Sequence, residues 1–324
     1  MNRRAAILSA IFLATAVSGG PAGAATVIQA KSPGPSSATA KASGAPANDK
    51  YRQPRGIMKE ILTIECDDGY FLTADYYKRD KYPRNMPGII FIHSEGNERH
   101  EFYPLTYMTA GRSFASLAYD LRGHGETTGQ KGNPPRTAKE LTDADWAAML
   151  VDLRNVVSHL AMKPEVNGGR LALVGSGVGA NLAIRAAAEP WAAAIRCVIA
   201  ISPGLDIHGI KALDAAVLIP ANTRLYLSAG KADAGSFDAV NAVYAAAKCR
   251  KELYLIDSAA RGSMLFGHGL FGKVQEWLTS SLIEPGERKA PVPWSGGRPG
   301  QAPAKKSTRP TTAGKSVQPQ VPSR

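Results

Sequence analysis

Apolar residues in this chain come in two patterns, and the change between them divides the ordered part of the sequence. Residues 57–66 and 70–77 are strand-like runs on either side of Asp67, Asp68 and Gly69, a turn sequence, so they predict an antiparallel hairpin. From about residue 87 the apolar runs become continuous and alternate with helical segments. This alternation is typical of parallel βαβ units, in which both faces of the sheet are covered.

The predicted elements continue as far as residue 282, with one long loop among them. Strands are predicted at 88–93, 114–120, 171–174, 197–202, 224–228 and 252–257. Helices are predicted at 103–111, from a cap at Asp143 or Asp145 to about 161, at 178–188, 237–248 and 270–282. The polar stretch 122–140 is predicted to be a loop.

The two ends of the chain differ in composition from this central part. A charged start, an apolar run over residues 5–17 and small residues up to Ala24 predict a secretory signal peptide covering 1–24, in the bacterial style. A retained membrane anchor is the weaker interpretation, because the apolar run is too short to span a bilayer. Residues 25–52 predict a disordered Ala/Ser/Pro linker, residues 53–284 the folded domain, and residues 285–324 a disordered, basic, Pro-rich tail. The protein is therefore expected to be exported, to the periplasm or the medium.

The formal charge of +12 belongs to the ends of the chain. Residues 1–50 contribute +4 and residues 285–324 contribute +7, which leaves +1 for the folded part. The tail is interpreted as a spacer or as a weak tether to anionic envelope polymers or lipid head groups. Nucleic acid is not expected as a partner, because aromatic residues are not interleaved with the basic ones. The oligomeric state is left open.

The three cysteines, Cys66, Cys197 and Cys249, do not have the spacing of a metal site, and no metal or cofactor is expected. Cys197 lies in a run that predicts a buried strand. A disulfide between two of the three is compatible with export, and the sequence does not select a pair.

Residues 171–183 read strand, tight turn, helix, with three glycines in five positions. The spacing is that of a nucleophile elbow, G-x-S-x-G, in which a serine stands on a strained turn above a helix N-terminus. Here Gly175 and Gly179 flank the turn and Gly177 is central. Ser176 is one position early, so the nucleophile of the pattern is missing.

Residues 57–283 resemble an α/β-hydrolase of the small bacterial esterase or dienelactone-hydrolase-like kind. The resemblance rests on the elbow and on residues 88–96, 120–126, 201–206 and 259–262. It implies a mostly parallel, twisted sheet with helices on both faces, an N-terminal antiparallel hairpin and no large cap domain.

The resemblance also implies the roles of the site residues. The acid of the catalytic triad follows the penultimate strand as Gly-x-x-Asp, which is Asp233 here. The histidine follows the last strand, at the position of Arg261. A guanidinium stays protonated and cannot serve as a general base. The oxyanion amides correspond to Val178 and to Ser94 or Glu95.

Two further sets of residues complete the resemblance. His93 and His124 match histidines that brace loops around the site, and His268 is a poor substitute for the missing base. Arg261 is expected either to attract an anion near the oxyanion amides or to pair with Asp233 and close a vestigial site.

Three hypotheses on function follow. The first is an exported protein that has lost serine-hydrolase catalysis and binds a small anionic or ester-like ligand or a protein partner. The second is an esterase with a non-standard arrangement, such as Ser176 or Ser94 acting with His268. The third is an envelope-associated protein whose basic tail is the working part.

Overall fold

A computed structural model describes residues 55–81 and 84–283. The chain divides into a unit of residues 1–49 and a unit of residues 50–324, and all described residues belong to the second. The predicted signal peptide, the predicted linker with its boundary at 52/53, and the predicted tail therefore lie outside the described residues.

Within the described residues, eight strands form one sheet in the order β1-β2-β4-β3-β5-β6-β9-β10. The pairs β1–β2 and β2–β4 are antiparallel, and the remaining pairs are parallel. Two further short strands, β7 and β8, pair with each other. The strands are β1 (Ile57–Glu65), β2 (Phe71–Arg79), β3 (Met86–Ile92), β4 (Ala115–Tyr119), β5 (Val166–Ser176), β6 (Ile195–Ile201), β7 (Asp206–Ile207), β8 (Ile210–Lys211), β9 (Arg224–Gly230) and β10 (Arg250–Ile256).

Helices cover both faces of the sheet, as the resemblance implies. Side chains of β3 alternate between the two faces, with Ile90 and Ile92 in one core and Ile89 and Phe91 in the other. The first core takes buried residues from α2, α3, α4 and α5, and the second from α1 and α6. The helices are α1 (Tyr103–Gly111), α2 (Asp143–Ala161), α3 (Val178–Ala187), α4 (Ala212–Ala216), α5 (Ala234–Ala246) and α6 (Leu270–Leu282).

The first turn of α2 shows one small difference from the expectation. The N-cap is Thr142, whose hydroxyl accepts a hydrogen bond from the Asp145 amide, and the Asp145 carboxylate accepts from the Thr142 amide. Asp145 therefore completes a reciprocal capping box at the third helical position, while Asp143 is the first helical residue.

The segment between β6 and β9 holds only the β7–β8 hairpin and helix α4 among its regular elements. Sequence patterning did not predict either, because each strand has two residues and α4 has five, too few to show a period. No cap domain is inserted here, in agreement with the fold that the resemblance implies.

Two other features bear on the expectations. Cys66, Cys197 and Cys249 are free and buried, so none of the three pairs left open by the sequence forms a disulfide in this structure. Burial raises the pKa of the Cys197 thiol to about 12, which keeps it protonated. No helix in the described part of the chain combines the length and apolarity needed to cross a membrane.

Candidate functional site

The turn between β5 and α3 has the backbone of an elbow and no side chain at its centre. Gly177 has φ +54° and ψ −120°, a conformation that costs a non-glycine residue about 1–3 kcal/mol. Its amide donates to the carbonyl of Ile201 at 3.0 Å. A Cβ added at Gly177 would lie 3.1 Å from the Cβ of Ser94, so a side chain there would point at the loop after β3.

Ser176, one residue before the centre, is fully buried. Its hydroxyl has no hydrogen-bond partner among the described residues. The backbone of Gly262 lies against it, because a Cβ built on Gly262 would come within 2.5 Å of the Ser176 Oγ. Gly262 itself has φ +54°, and its amide donates to the Ser202 Oγ at 2.9 Å. The loop after β10 therefore covers the hydroxyl that could have replaced the missing nucleophile.

Asp233 and Arg261, at the acid and histidine positions of the resemblance, form an ion pair. The Arg261 Nε lies 2.9 Å from the Asp233 Oδ2. Asp233 is 7% exposed at the N-terminal boundary of α5, whereas Arg261 is 64% exposed. The buried carboxylate of Asp233 thus orients the exposed guanidinium of Arg261 through a hydrogen bond from Nε. Arg261 offers no proton acceptor to a nucleophile, because a guanidinium does not deprotonate in proteins.

The amide of Ser94, one of the positions expected to bind an oxyanion, already has an acceptor. It donates to the Glu101 Oε2 at 2.7 Å, and the Ser94 hydroxyl donates to the same oxygen at 3.0 Å. Asn97 supports the arrangement by donating its side-chain amide to the Ser94 Oγ at 2.7 Å. A carboxylate of the protein itself therefore occupies one of the two amides that the resemblance offers for this loop.

Sequence reasoning missed Glu101. It lies in a short 3₁₀ helix, Arg99–Phe102, seven residues beyond Ser94 and outside the matched motifs. Only the path of this helix across the ends of the strands brings the carboxylate back to the amide, so no signal in the sequence pattern could have identified it.

The side chain of Glu95, whose amide is the alternative oxyanion position, contacts the β7–β8 hairpin. Its Oε2 lies 2.9 Å from the Nε2 of His208, at the tip of the β7–β8 hairpin. The His208 ring stacks on Trp146 of α2, with centroids 3.9 Å apart and planes 10° apart. These contacts tie the hairpin to the loop after β3. Val178, the other expected amide, is the first residue of α3, where the helix dipole favours negative charge.

The histidines near the elbow have other partners. His93 is fully buried, with its Nδ1 2.8 Å from the carbonyl of Ser94 and its Nε2 2.9 Å from the amide of Leu121. Burial lowers the pKa of His93 to about 3, with His124 and Arg99 adding to the effect against the hydrogen bond to Ser94. The ring is therefore neutral, donating from Nδ1 and accepting at Nε2.

His124 and His268 have different surroundings. The His124 Nδ1 lies 2.8 Å from the carbonyl of Arg122, which holds the loop after β4. The exposed His268 has its Nε2 3.5 Å from the Ser258 Oγ. In the described residues no hydrogen bond joins His268 to Ser176 or to Ser94. Nor does this part of the chain contain a group of three or more His, Cys, Asp or Glu side chains that could hold a metal ion.

Comparison with known proteins agrees with this architecture. The profile of the Alpha/beta hydrolase family matches residues 89–309. A search of curated protein sequences finds no significant match.

Several solved structures share the fold. An acetyl xylan esterase from Paenibacillus sp. R4 superposes with a TM-score of 0.58 at 16% identity, over 69% of this chain and 85% of that one. A dienelactone hydrolase from Anabaena variabilis gives a TM-score of 0.57 at 15% identity, over 70% of this chain and 99% of the other. An esterase from Pyrococcus furiosus gives 0.53 at 17% identity, over 70% and 91%.

At these identities the structural likeness concerns the fold alone. The match over residues 89–309, which covers the elbow and every strand from β4 onward, shows that this chain belongs to the alpha/beta hydrolase family.

Proposed function

We propose that this chain is a non-catalytic member of the family that binds a small ligand through a carboxylate, at the mouth of the former catalytic site. The observation that carries the proposal is the ion pair between Arg261 and Asp233. It orients an exposed guanidinium at the position that the resemblance assigns to the histidine. Arg261 uses its Nε on Asp233, so the Nη atoms are left for two parallel hydrogen bonds to a planar anion.

The loss of catalysis is argued from three positions together. Gly177 carries no nucleophile, Arg261 accepts no proton, and the Ser94 amide is taken by Glu101. Removing a serine and its histidine lowers the rate of a serine hydrolase by about six orders of magnitude. The remaining amides leave too little rate enhancement for a metabolic role.

The test of inactivity uses the purified protein with short-chain p-nitrophenyl esters and a fluorophosphonate probe. We expect no ester turnover above background and no labelled serine. Stoichiometric labelling at any serine would refute the proposal. Binding is tested by calorimetry with short alkanoates, which we expect to bind the wild type and to lose binding in Arg261→Gln, with folding checked by circular dichroism.

The second candidate is an esterase with a non-standard arrangement, and one contact favours it. The Ser258 Oγ and the His268 Nε2 lie 3.5 Å apart in the loop after β10. Against it, the Ser258 hydroxyl already accepts the amide of Ala260 at 3.0 Å, and the pairs named from the sequence, Ser176 or Ser94 with His268, are not hydrogen bonded. Ester turnover that disappears in Ser258→Ala and in His268→Gln would establish this candidate.

Export is part of the same proposal and rests on the layout of residues 1–24. We propose that the mature chain begins at Ala25 in the periplasm or the medium. Expression of the full sequence in a bacterial host, followed by fractionation and N-terminal sequencing, tests it. Recovery of the uncut chain in the cytoplasm would contradict it.

A further inference from the structure

The carboxylate of Glu101 uses only one of its two oxygens inside the protein. Oε2 accepts both donors of Ser94, whereas Oε1 accepts no hydrogen bond from the described residues. Glu101 is partly exposed. Its free oxygen lies 3.5 Å from the point where a Cβ on Gly262 would stand, so it faces the loop that carries Arg261.

A second oxygen converges on the same place. The Ser176 Oγ, fully buried and without a partner in the part of the chain that the structure describes, lies 2.5 Å from that same point beside Gly262. A hydroxyl and a carboxylate oxygen thus border the backbone at Gly262, and the exposed guanidinium belongs to the residue before it. The Ser176 hydroxyl can donate or accept but is covered by the loop, so the free Glu101 oxygen is the group that makes this edge of the site an acceptor of hydrogen bonds.

The other acidic side chains of this loop are already matched by partners. Glu95 is bound by His208 at 2.9 Å, and Glu98 lies 2.7 Å from the Nδ1 of His100. Glu95 and Glu98 thus each contact an imidazole, whereas the Oε1 of Glu101 accepts no hydrogen bond from the described residues, which leaves this oxygen for a ligand. It would repel a purely anionic ligand held on Arg261 and attract one that also carries a positive charge.

From this juxtaposition we infer that the ligand is a small amino carboxylate, whose carboxylate contacts Arg261 and whose ammonium donates to Glu101. The inference rests on the proposed function, because it uses the same guanidinium, and it adds the class of ligand. The ammonium supplies up to three donors, which suits the free Oε1 and any acceptor beside it. Charge-assisted bonds of this kind contribute enough to raise affinity about tenfold or more.

The experiment measures affinity in two matched ligand series by calorimetry, at low ionic strength and in a buffer free of carboxylates and primary amines. One series is glycine, β-alanine, 4-aminobutyrate and 5-aminopentanoate. The other is the alkanoates of the same chain lengths. We expect at least one amino carboxylate to bind about tenfold more tightly than the alkanoate of equal length.

Variants assign the effect to Glu101. In Glu101→Gln the side-chain carbonyl still accepts from Ser94, and the charge is gone, so the advantage of the amino group should disappear while alkanoate binding stays or improves. Glu98→Gln removes the same charge from the same loop and should leave the tenfold difference intact. The melting temperature of each variant shows whether it is folded.

The outcomes separate the two proposals. Alkanoates that bind in an Arg261-dependent manner, with no gain from the amino group at any length, would overturn the inference and leave the proposed function standing. The same holds if Glu101→Gln keeps the tenfold difference. Absence of saturable binding by both series would overturn the proposed function together with the inference.

Discussion

At the scale of single residues, three positions decide the chemistry of the site, and each acts through what its side chain can exchange with a neighbour. Gly177 has no side chain, and the Arg261 guanidinium only donates hydrogen bonds. The Glu101 carboxylate accepts the hydrogen bond of the Ser94 amide, a donor that a hydrolase would need to be free. The hydrogen bond from the Ser94 amide to the Glu101 carboxylate bears on the rate of any reaction that forms an oxyanion here. Under the proposed function, rebuilding a serine at position 177 and a histidine at position 261 would still leave the Ser94 amide occupied by Glu101.

The occupied Ser94 amide gives a prediction for the rate at which variants react with a fluorophosphonate. Gly177→Ser with Arg261→His rebuilds a serine and an imidazole beside Asp233, and we expect weak labelling. Adding Glu101→Ala frees the Ser94 amide and should raise the labelling rate by about 10²-fold, the effect of one oxyanion donor. The control variant combines Gly177→Ala with Arg261→His and Glu101→Ala, and it should not be labelled because it has no serine at position 177. Equal rates in the double and triple serine variants would show that the amide does not reach the oxyanion.

Gly262 gives a second prediction, on stability. Gly262→Ala places a Cβ 2.5 Å from the Ser176 Oγ at a positive φ, so the free energy of unfolding should fall by about 2–4 kcal/mol. Ser176→Ala removes an unpaired buried hydroxyl and should change stability by about 1 kcal/mol or less. Chemical denaturation measures both. The double variant should recover part of the loss, and strictly additive effects would rule out the contact.

At the scale of elements, the loops after β3 and β4 are held by buried polar side chains rather than by regular structure. Asp120, after β4, accepts from the Arg99 amide at 2.7 Å and from the Glu126 amide at 2.9 Å, and it also pairs with the Arg99 guanidinium. His93 links the Ser94 carbonyl to the Leu121 amide. These bonds join the loop after β3 to the loop after β4, and they add to the backbone hydrogen bonds within each loop.

His93 makes the stability of these loops depend on pH. Its folded pKa is lowered to about 3, chiefly by burial, while an unfolded histidine titrates near pH ~6.5. Below that value the unfolded chain binds a proton that the folded chain excludes. Stability from this group is therefore complete above pH ~7 and is lost as the pH falls, by about 2 kcal/mol between pH ~7 and pH ~5.

The measurement compares denaturation curves of the wild type and His93→Gln across this range. The variant should be less stable at pH ~7. Between pH ~7 and pH ~5 its free energy of unfolding should fall by about 2 kcal/mol less than that of the wild type. The raised pKa of His100, where bonds to Asp75 and Glu98 outweigh burial, acts in the opposite direction in both proteins, so the difference between them isolates His93. Parallel curves would contradict the assignment.

At the scale of the whole molecule, most of the net positive charge lies outside the predicted folded part of the chain. The central part of the chain, residues 51–284, has a net formal charge of +1, while the 40 residues of the predicted tail have +7. Each basic residue near an anionic lipid surface contributes about 1 kcal/mol of attraction. Any binding to anionic envelope components is therefore proposed to come from the tail.

Truncation after residue 285 tests this proposal. The full chain should bind vesicles containing anionic lipid at low salt and release them above about 0.3 M salt, because screening shortens the range of the interaction. The truncated chain should bind at least tenfold more weakly in a vesicle co-sedimentation assay. Uncharged vesicles serve as the control, and equal binding of both chains would place the contact on the folded part.

The sequence by itself determined the sheet and most of the helices, and the resemblance predicts that the nucleophile at position 177 and the histidine at position 261 are missing. Periodicity over seven or more residues is a local signal, which is why α1 and α6 begin and end at the predicted residues. The absence of a serine at position 177 and of a histidine at position 261 can likewise be read without coordinates, once the elbow and the last strand are aligned with the family pattern.

Only the tertiary structure decided which side chains and loops surround the elbow. Glu101 reaches Ser94 and Gly262 covers Ser176 because separate loops meet at the carboxyl ends of the parallel strands. The same is true of His208, which reaches Glu95 from a hairpin too short to show a period. Contacts between residues that are far apart in the chain depend on loop paths, and these paths are fixed by buried hydrogen bonds that leave no periodic trace in the sequence.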